Sequence, residues 1–320
     1  MIKDYVKKEE EHLVELRRYF HSHPEESLKE YNTCKKIQDE LDKLSIPHRR
    51  VGETGVYAWI DGEAKDGVNR IIALRADMDA LKMQDLKNVP YRSQNDGYCH
   101  ACGHDSHTAV LLTAAKILNE KKNEFSGQIR LFFQQAEEIG AGARLFVKEG
   151  LLDGVGRVYG SHISSQLKSG IVSLTPGPNN ASCDHFTIKV TGKGAHVSKP
   201  HLSVDALYTA AQIIVAEQAV VARNTNPIDT VVVGIGRCEA GTAYNIVAEH
   251  AVIEGTTRCF SPETRAYTNR RVREIAEATA AANGATVEIE FEDFAAPLVN
   301  DAGAAEEVTE VAKDIIPEEN

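Results

Sequence analysis

The sequence predicts a two-domain α/β protein: a large sheet-and-helix domain together with a smaller ferredoxin-like domain. Three observations carry this prediction. Strand and helix patterns alternate through the first half of the chain. The composition then shifts to Pro, Gly and Asn around SLTPGPNNAS, which is typical of a domain boundary. Beyond that boundary the patterns follow the order βαββαβ, which is the ferredoxin-like split motif.

The elements of the first half follow from apolar periodicity. A helix is expected near residues 9–20, and the series Leu28, Tyr31, Cys34, Ile37, Leu41, Leu44 has the spacing of one helix face. Short apolar runs predict strands at 55–60, 70–76, 127–134 and 156–163, and the segments between them predict helices at about 106–121 and within 140–152. Apolar strands that alternate with helices indicate an α/β sheet covered on both faces.

The second half predicts the smaller domain. Strands are expected at 184–192, 229–236, 245–258 and 286–294, with helices at about 204–222 and 262–282. A further helical stretch follows Pro297. We therefore expect residues 1–178 and 294–320 to form the large domain, and residues 179–293 to form the small one.

Composition excludes several classes of protein. The 320 residues carry a formal net charge of −11, which leaves no basic surface for nucleic acid. The first residues are charged and lack the apolar core of a signal peptide, and no run of eighteen apolar residues occurs. We therefore expect a cytoplasmic protein with neither a nucleic-acid nor a membrane partner, whose six cysteines stay reduced.

Acidic residues and a histidine follow three of the predicted strands. Asp77 and Asp79 come after IIALRA, Glu137 and Glu138 after LFFQQA, and His162 after RVYG. In α/β sheets, ligands gather at the carboxyl ends of the strands. These side chains are therefore candidates for one functional site.

The stretch YCHACGHDSHT concentrates potential metal ligands before the predicted third helix. A structural zinc site would need a second Cys or His pair, haem attachment would need CxxCH, and a thioredoxin-like CxxC remains a poor alternative. The remaining interpretation is a metal site that includes Cys102 and His104. The adjacent carboxylates Glu137 and Glu138 favour it, because a metal relieves their mutual repulsion and leaves one of them free to carry a proton.

Six segments together resemble one known family. HSHPEESLKEY, LRADMDAL, CHACGHDSHTA, FQQAEE, GKGAH and GTAYNIVAEHAVIEGTTR are similar, in this order, to the di-metal amidohydrolases related to aminoacylases and zinc carboxypeptidases. That branch includes hippurate hydrolase, N-acyl-amino-acid and indole-acetyl-amino-acid hydrolases, and aminobenzoyl-glutamate hydrolase. The resemblance covers residues from about 15 to about 300.

The resemblance implies a role for each matching residue. Glu137 would be the general base, and Asp79 would orient a ligand. His196 in GKGAH would stabilise the oxyanion. The implied metal ligands are Cys102, His104, Glu138 and His162, and the implied substrate-carboxylate ligands are Asn245 and Arg258. We expect structural roles near the helix start for His21 and His23, a packing role for Cys99, and a role in supporting the ligands for the flanking His100 and His107.

The resemblance also implies an activity, cofactors and an assembly. Two divalent ions, Mn, Zn, Co or Ni, would activate a bridging water for hydrolysis of the amide bond in N-acyl or N-aroyl amino acids. The small domain would act as a lid and form a homodimer. A dipeptidase or carboxypeptidase is the alternative within the family. Because family members continue to a final His ligand, a C-terminally truncated chain is expected, and a non-catalytic form that keeps only the fold and the dimer interface is a second alternative.

Overall fold

The computed structural model describes residues 2–65 and 67–316, which fall into two compact units. The first unit contains residues up to 172 together with those after 314, and the second unit contains Ser173–Asp314. The second unit is longer at both ends than the predicted small domain. The reason is that Gly177–Asn180 and Leu298–Asn300 pair with each other as antiparallel strands. No helix among the described residues is both long and apolar enough to span a membrane.

The first unit contains four helices and five strands within its described residues. The predicted elements are present, and a short polar strand at His48–Val51, which apolar periodicity did not predict, is added to them. In chain order the elements are α1 (Ile2–Ser22), α2 (Tyr31–Lys43), β1 (His48–Val51), β2 (Gly55–Asp61), β3 (Ile71–Asp77), α3 (His104–Glu120), β4 (Gln128–Gln134), α4 (Gly142–Lys148) and β5 (Val155–Gly160).

The five strands form one mixed sheet in the order β1-β2-β4-β3-β5. Strand β3 is parallel to both of its neighbours, β4 and β5, whereas β2 is antiparallel to both of its neighbours, β1 and β4. In the register, Asp77 at the end of β3 lies opposite Gln134 at the end of β4. The carboxyl ends of β3, β4 and β5 therefore meet at one edge of the sheet.

Helices cover both faces of this sheet, as predicted. Phe20 of α1, Ile37 of α2 and Leu112 of α3 are buried with Phe133 in the larger core cluster. On the opposite face, α4 contributes to a smaller cluster through Phe146. The α3 packing fixes the first turn of that helix beside the strand ends.

The second unit confirms the predicted βαββαβ order. Its main sheet has the order β12-β7-β11-β9 with antiparallel neighbours throughout, and it packs against two helices. The predicted strand 245–258 is interrupted at Ala248 and Glu249, so its first residues pair with a separate short strand. The elements are β6 (Gly177–Asn180), β7 (Cys183–Thr191), β8 (Ala195–His196), α5 (Ala206–Ala219), β9 (Val231–Ala240), β10 (Ile246–Val247), β11 (His250–Cys259), α6 (Pro262–Ala282), β12 (Thr286–Ala295), β13 (Leu298–Asn300) and α7 (Ala302–Lys313).

Candidate functional site

The start of α3 brings the cysteine–histidine stretch to the sheet edge. Gly103 precedes the helix with a φ of 87°, in the left-handed region that favours glycine. A Cβ at this position would also lie 2.2 Å from the end of the Ile163 side chain, which would then have to move. This turn places Cys102 on one side and His104, the first residue of α3, on the other.

Three of the predicted ligands converge at this point. Potential ligand atoms of Cys102, His104 and Glu138 all lie within 4.8 Å of one another. Glu138 Oε1 and Asp79 Oδ1 are buried without a hydrogen-bond partner. A thiol, an imidazole and carboxylates form a donor set that suits a divalent transition metal. Because buried carboxylate oxygens normally have partners, the unpartnered Glu138 oxygen also fits a cation at this point.

The protonation of Cys102 points the same way. Burial, followed by the nearby carboxylate of Glu138, raises the pKa of the Cys102 thiol to about 12. A thiol in this setting becomes a thiolate only when a positive charge compensates the surrounding carboxylates. A metal ion supplies that charge and deprotonates a coordinating thiol.

Asp79 holds His104 and the acidic loop together. The Nδ1 atom of His104 lies 3.0 Å from the main-chain oxygen of Asp79 and 3.4 Å from its Oδ1. The other carboxylate oxygen accepts hydrogen bonds from the Ser27 hydroxyl at 2.7 Å and from the Glu138 amide at 3.0 Å. With Nδ1 directed at Asp79, His104 presents Nε2 to the site.

A second group of potential ligands is already occupied by internal hydrogen bonds. Asp77, His104 and His107 also have ligand atoms within 4.8 Å. However, His107 Nδ1 lies 2.6 Å from Asp77 Oδ1, and its Nε2 accepts the Ile163 amide at 3.0 Å. The two contacts define the tautomer, with the proton on Nδ1. His107 therefore links the end of β3 to the segment after β5, as its predicted supporting role implies.

Asp77 is a strand-end candidate to which the family resemblance assigned no role, and the structure shows it bonded to His107. Burial raises its pKa, but the His107 hydrogen bond and the charge of Arg75 outweigh burial, so the pKa lies below its usual range. Arg75 contacts the carboxylate at 2.8 Å. In the sequence, the position of Asp77 at a strand end was the available signal. Its partner His107, thirty positions later, could not be identified from the sequence.

Cys102, His104 and Glu138 form the metal-ligand group. Glu137 lies beside this group and is not a member of it. Its Oε2 is 3.9 Å from His104 Nε2, and its side chain is 40% exposed. Burial raises the pKa of Glu137, and the negative charges of Glu138 and Asp77 raise it further, against the opposing effect of His104. A partly accessible carboxyl with a raised pKa is a stronger base than an ordinary glutamate and is suited to accepting and releasing a proton.

His162 is exposed and lies next to the other site histidines. Its ring centroid is 4.7 Å from that of His107 and 6.1 Å from that of His104. Its Nδ1 lies 2.6 Å from the main-chain oxygen of Ile163, which leaves Nε2 as the nitrogen that could bind a metal. The structure thus brings Cys102, His104, Glu137, Glu138, Asp79 and His162 to one edge of the first unit.

The three remaining predicted residues lie in the second unit. His196 on β8 faces Ile246 in the register with β10, and the amide of the next residue bonds to the oxygen of Asn245 at 3.2 Å. Arg258 lies near the far end of β11, eight residues beyond His250, or roughly 27 Å at the usual rise of a strand. The second unit therefore brings His196 and Asn245 together and separates Arg258 from them.

The supporting histidines differ in their surroundings. His21 is fully buried, 2.6 Å from Asp105 Oδ2 and 3.4 Å from Asp85. His23 stacks on Tyr19. His100 is buried with neither ring nitrogen bonded, and burial lowers its pKa to about 4, so it is neutral at pH 7.

Comparisons with known proteins give the family. The model of peptidase family M20/M25/M40 matches residues 73–320. N-acetylcysteine deacetylase of Bacillus subtilis is 40% identical over 94% of this chain and 79% of its own length. Thermostable carboxypeptidase 2 of Saccharolobus solfataricus is 38% identical over 98% of this chain and 80% of its own.

A solved structure agrees with these matches. The Bacillus subtilis YXEP protein, described as a dinuclear metal-binding peptidase from the M20 family, superimposes with a TM-score of 0.83 at 36% identity, covering 97% of this chain and 81% of that one. The predicted resemblance and fold class are confirmed, whereas the expected truncation finds no support in these matches. The chain belongs to peptidase family M20/M25/M40 and is a hydrolase.

Proposed function

We propose that this member of the M20 family hydrolyses the amide bond of N-acyl amino acids with two divalent metal ions. The observation that carries the proposal is the convergence of Cys102, His104 and Glu138 beside the accessible carboxyl of Glu137. Amide hydrolysis needs an activated water, a stabilised oxyanion and a proton for the leaving amine. The site offers a group for each requirement.

The residues that would hold the metal ions are Cys102, His104, Glu138 and His162. When bound, the ions would act as Lewis acids that activate water and polarise the amide carbonyl. Manganese, zinc, cobalt and nickel all accept this mixed ligand set, so the ligand set alone does not select among them. Asp79 keeps the His104 ring in place through its main-chain oxygen.

Glu137 would carry the proton. Its raised pKa makes the carboxylate a stronger base than a surface glutamate, and its partial exposure lets it reach a substrate. It would accept a proton from the attacking water and pass that proton to the departing amine. No other carboxyl of the group fits this role as well, because Asp77 and Asp79 are buried and bonded to histidine, Ser27 or main-chain groups.

The second unit would supply substrate contacts and a dimer interface. In this proposal His196 stabilises the oxyanion, and Asn245, which lies beside it, binds the substrate carboxylate. Arg258 lies too far along β11 to bind the same carboxylate within one copy, so it would do so only from the second copy of a dimer. Leu207, Tyr208 and Val215 are each more than half exposed on α5, and β9 is an edge strand of the sheet. An apolar helix face beside an edge strand suits association of two copies. Sedimentation equilibrium should then give twice the chain mass, and a monomer would refute this part.

The alternative substrate class is a peptide. The carboxypeptidase of Saccharolobus solfataricus is about as similar to this chain as the N-acetylcysteine deacetylase. The two activities differ in the group on the acyl side of the bond: an uncharged acyl group or a residue with an amine. A panel of N-acetyl and N-benzoyl amino acids beside matching dipeptides decides between them. The relatives are enzymes, which argues against the non-catalytic alternative.

Substitution of Glu137 by Gln tests the proposal. The amide keeps the size of the side chain but cannot accept the proton, so kcat should fall by about 10²–10⁴-fold while bound metal is unchanged. Glu288→Gln, at an exposed position of β12, is the matched control and should keep wild-type kcat. Wild-type kcat in Glu137→Gln on the best substrate of the panel would contradict the proposed role.

A further inference from the structure

Glu30 is a fully buried carboxyl far from the metal-ligand group in sequence. It stands immediately before α2, at the position where an acidic side chain often caps its own helix. The free amides of that helix, those of Asn32 and Thr33, are already bonded to Glu25 at 3.2 and 2.8 Å. The side chain of Glu30 makes no capping hydrogen bond to this helix, and its carboxylate is directed elsewhere.

The carboxylate of Glu30 binds the loop after β4. Its Oε1 accepts the main-chain amide of Ala136 at 2.8 Å, and its Oε2 accepts the Thr54 hydroxyl at 2.7 Å. Burial raises the pKa of Glu30, against the lowering effect of the Thr54 hydrogen bond. Keeping a charged or polar group buried is costly unless its hydrogen bonds are satisfied, so these bonds help to retain the carboxyl in its buried position.

Ala136 has an unusual backbone conformation. Its φ is 52°, in the left-handed region, and the residue is fully buried. Alanine adopts this region at a cost of roughly 1 kcal/mol or more, so surrounding contacts must hold it there. Glu30 binds its amide, and the amides of Ala141 and Gly142 bind its carbonyl oxygen. Both polar groups of this strained residue are therefore fixed.

The two residues after Ala136 are the acids of the proposed site. The Glu138 amide is bonded to Asp79 Oδ2 at 3.0 Å, so the loop is held at residue 136 by one carboxylate and at residue 138 by another. Glu137 lies between the two anchors. The direction of its side chain depends on the backbone at 136, because a change of that φ would rotate everything that follows.

We propose that Glu30 is a positioning residue for Glu137, which it orients by holding Ala136 in the left-handed conformation. The catalytic role of Glu137 in this inference rests on the proposed function. The effect of Glu30 on the loop is independent of the proposed function. Glu30 belongs to no metal-ligand group among the described residues, and its hydrogen bond to the loop goes to the main-chain amide of residue 136.

Three variants separate positioning from general stability. Glu30→Ala removes the acceptor, whereas Glu30→Gln keeps an amide oxygen for Ala136 and offers an NH₂ group to Thr54. Thr54→Val removes the other hydrogen bond of the same carboxylate without touching the loop, and it is the matched control. All three are first shown to be folded by urea denaturation.

Kinetics on the best substrate give the first readout. We expect Glu30→Ala to lower kcat by about 10–100-fold with KM within threefold of wild type, and Glu30→Gln to restore kcat to within about fivefold. Thr54→Val should lower stability and leave kcat within twofold. Wild-type kcat in Glu30→Ala, or an equal loss in Thr54→Val, would overturn the proposal.

Hydrogen–deuterium exchange gives the second readout, which does not depend on activity. Peptides that cover residues 135–142 should exchange at least tenfold faster in Glu30→Ala and at the wild-type rate in Thr54→Val. If the wild-type protein hydrolyses no tested substrate, the proposed function fails while this comparison still decides the role of Glu30. Unchanged exchange at 135–142 in Glu30→Ala would reject it.

Discussion

Buried acids in the two units have different surroundings. In the first unit Glu138 has a buried, unpartnered oxygen, and a thiol and an imidazole lie within 4.8 Å of its ligand atom. In the second unit Glu217 on α5 is fully buried with both carboxyl oxygens unpartnered, and it belongs to no metal-ligand group found among the described residues. An unpartnered buried carboxyl therefore indicates a metal site only where other donors converge on it.

The pKa values of two buried acids, Glu217 in the second unit and Asp77 in the first, also differ in direction. Burial raises the pKa of Glu217 to about 8, and the charge of Arg271 only partly opposes this shift. Asp77 is as deeply buried, yet its hydrogen bond to His107 and the charge of Arg75 leave its pKa below the usual range. A buried acid beside a cationic partner stays charged, and an isolated one is neutralised.

Removal of a partnered acid should give the largest effect on folding. Asp77→Asn leaves Arg75 and His107 without the charge that they contact, so we expect the free energy of unfolding to fall by about 2–4 kcal/mol. Urea denaturation in the presence of a chelator measures this loss without a contribution from bound metal. A change below about 0.5 kcal/mol would show that the buried contacts around Asp77 contribute little.

Much of this framework was predictable from sequence. Apolar patterns located four of the five strands of the first sheet and the four strands of the main sheet in the second unit, and strand ends located Asp77, Asp79, Glu137, Glu138 and His162. The family resemblance supplied the expected roles of all but Asp77, because spacing alone left zinc, haem and redox alternatives open around Cys102. Chain position could not reveal that Glu30 bonds to Ala136, 106 residues away, since such a contact depends on tertiary packing. Strand β1 was missed because its residues are HRRV, with two exposed arginines and no apolar alternation.

Removal of the isolated acid should have a smaller effect of the opposite sign. Because the pKa of Glu217 is raised in the folded chain, the unfolded chain releases the proton first as the pH rises. The destabilisation that the buried Glu217 carboxyl causes is absent below about pH 4.5 and grows as the pH rises to about 8. Glu217→Gln should therefore stabilise the protein by about 1–3 kcal/mol at pH 8 and by much less at pH 4.5. Thermal unfolding at both pH values measures the difference, and a gain that did not change with pH would contradict this assignment.

Metal content per chain tests the central claim most directly. Wild type, Glu217→Gln and Glu138→Gln are loaded with manganese or zinc, desalted and analysed by mass spectrometry. We predict about two ions per chain in wild type and Glu217→Gln, and at least one fewer in Glu138→Gln, because only the Glu138 carboxyl has a thiol and an imidazole beside it. Wild type that retains no metal, or Glu138→Gln that retains as much as wild type, would contradict the account.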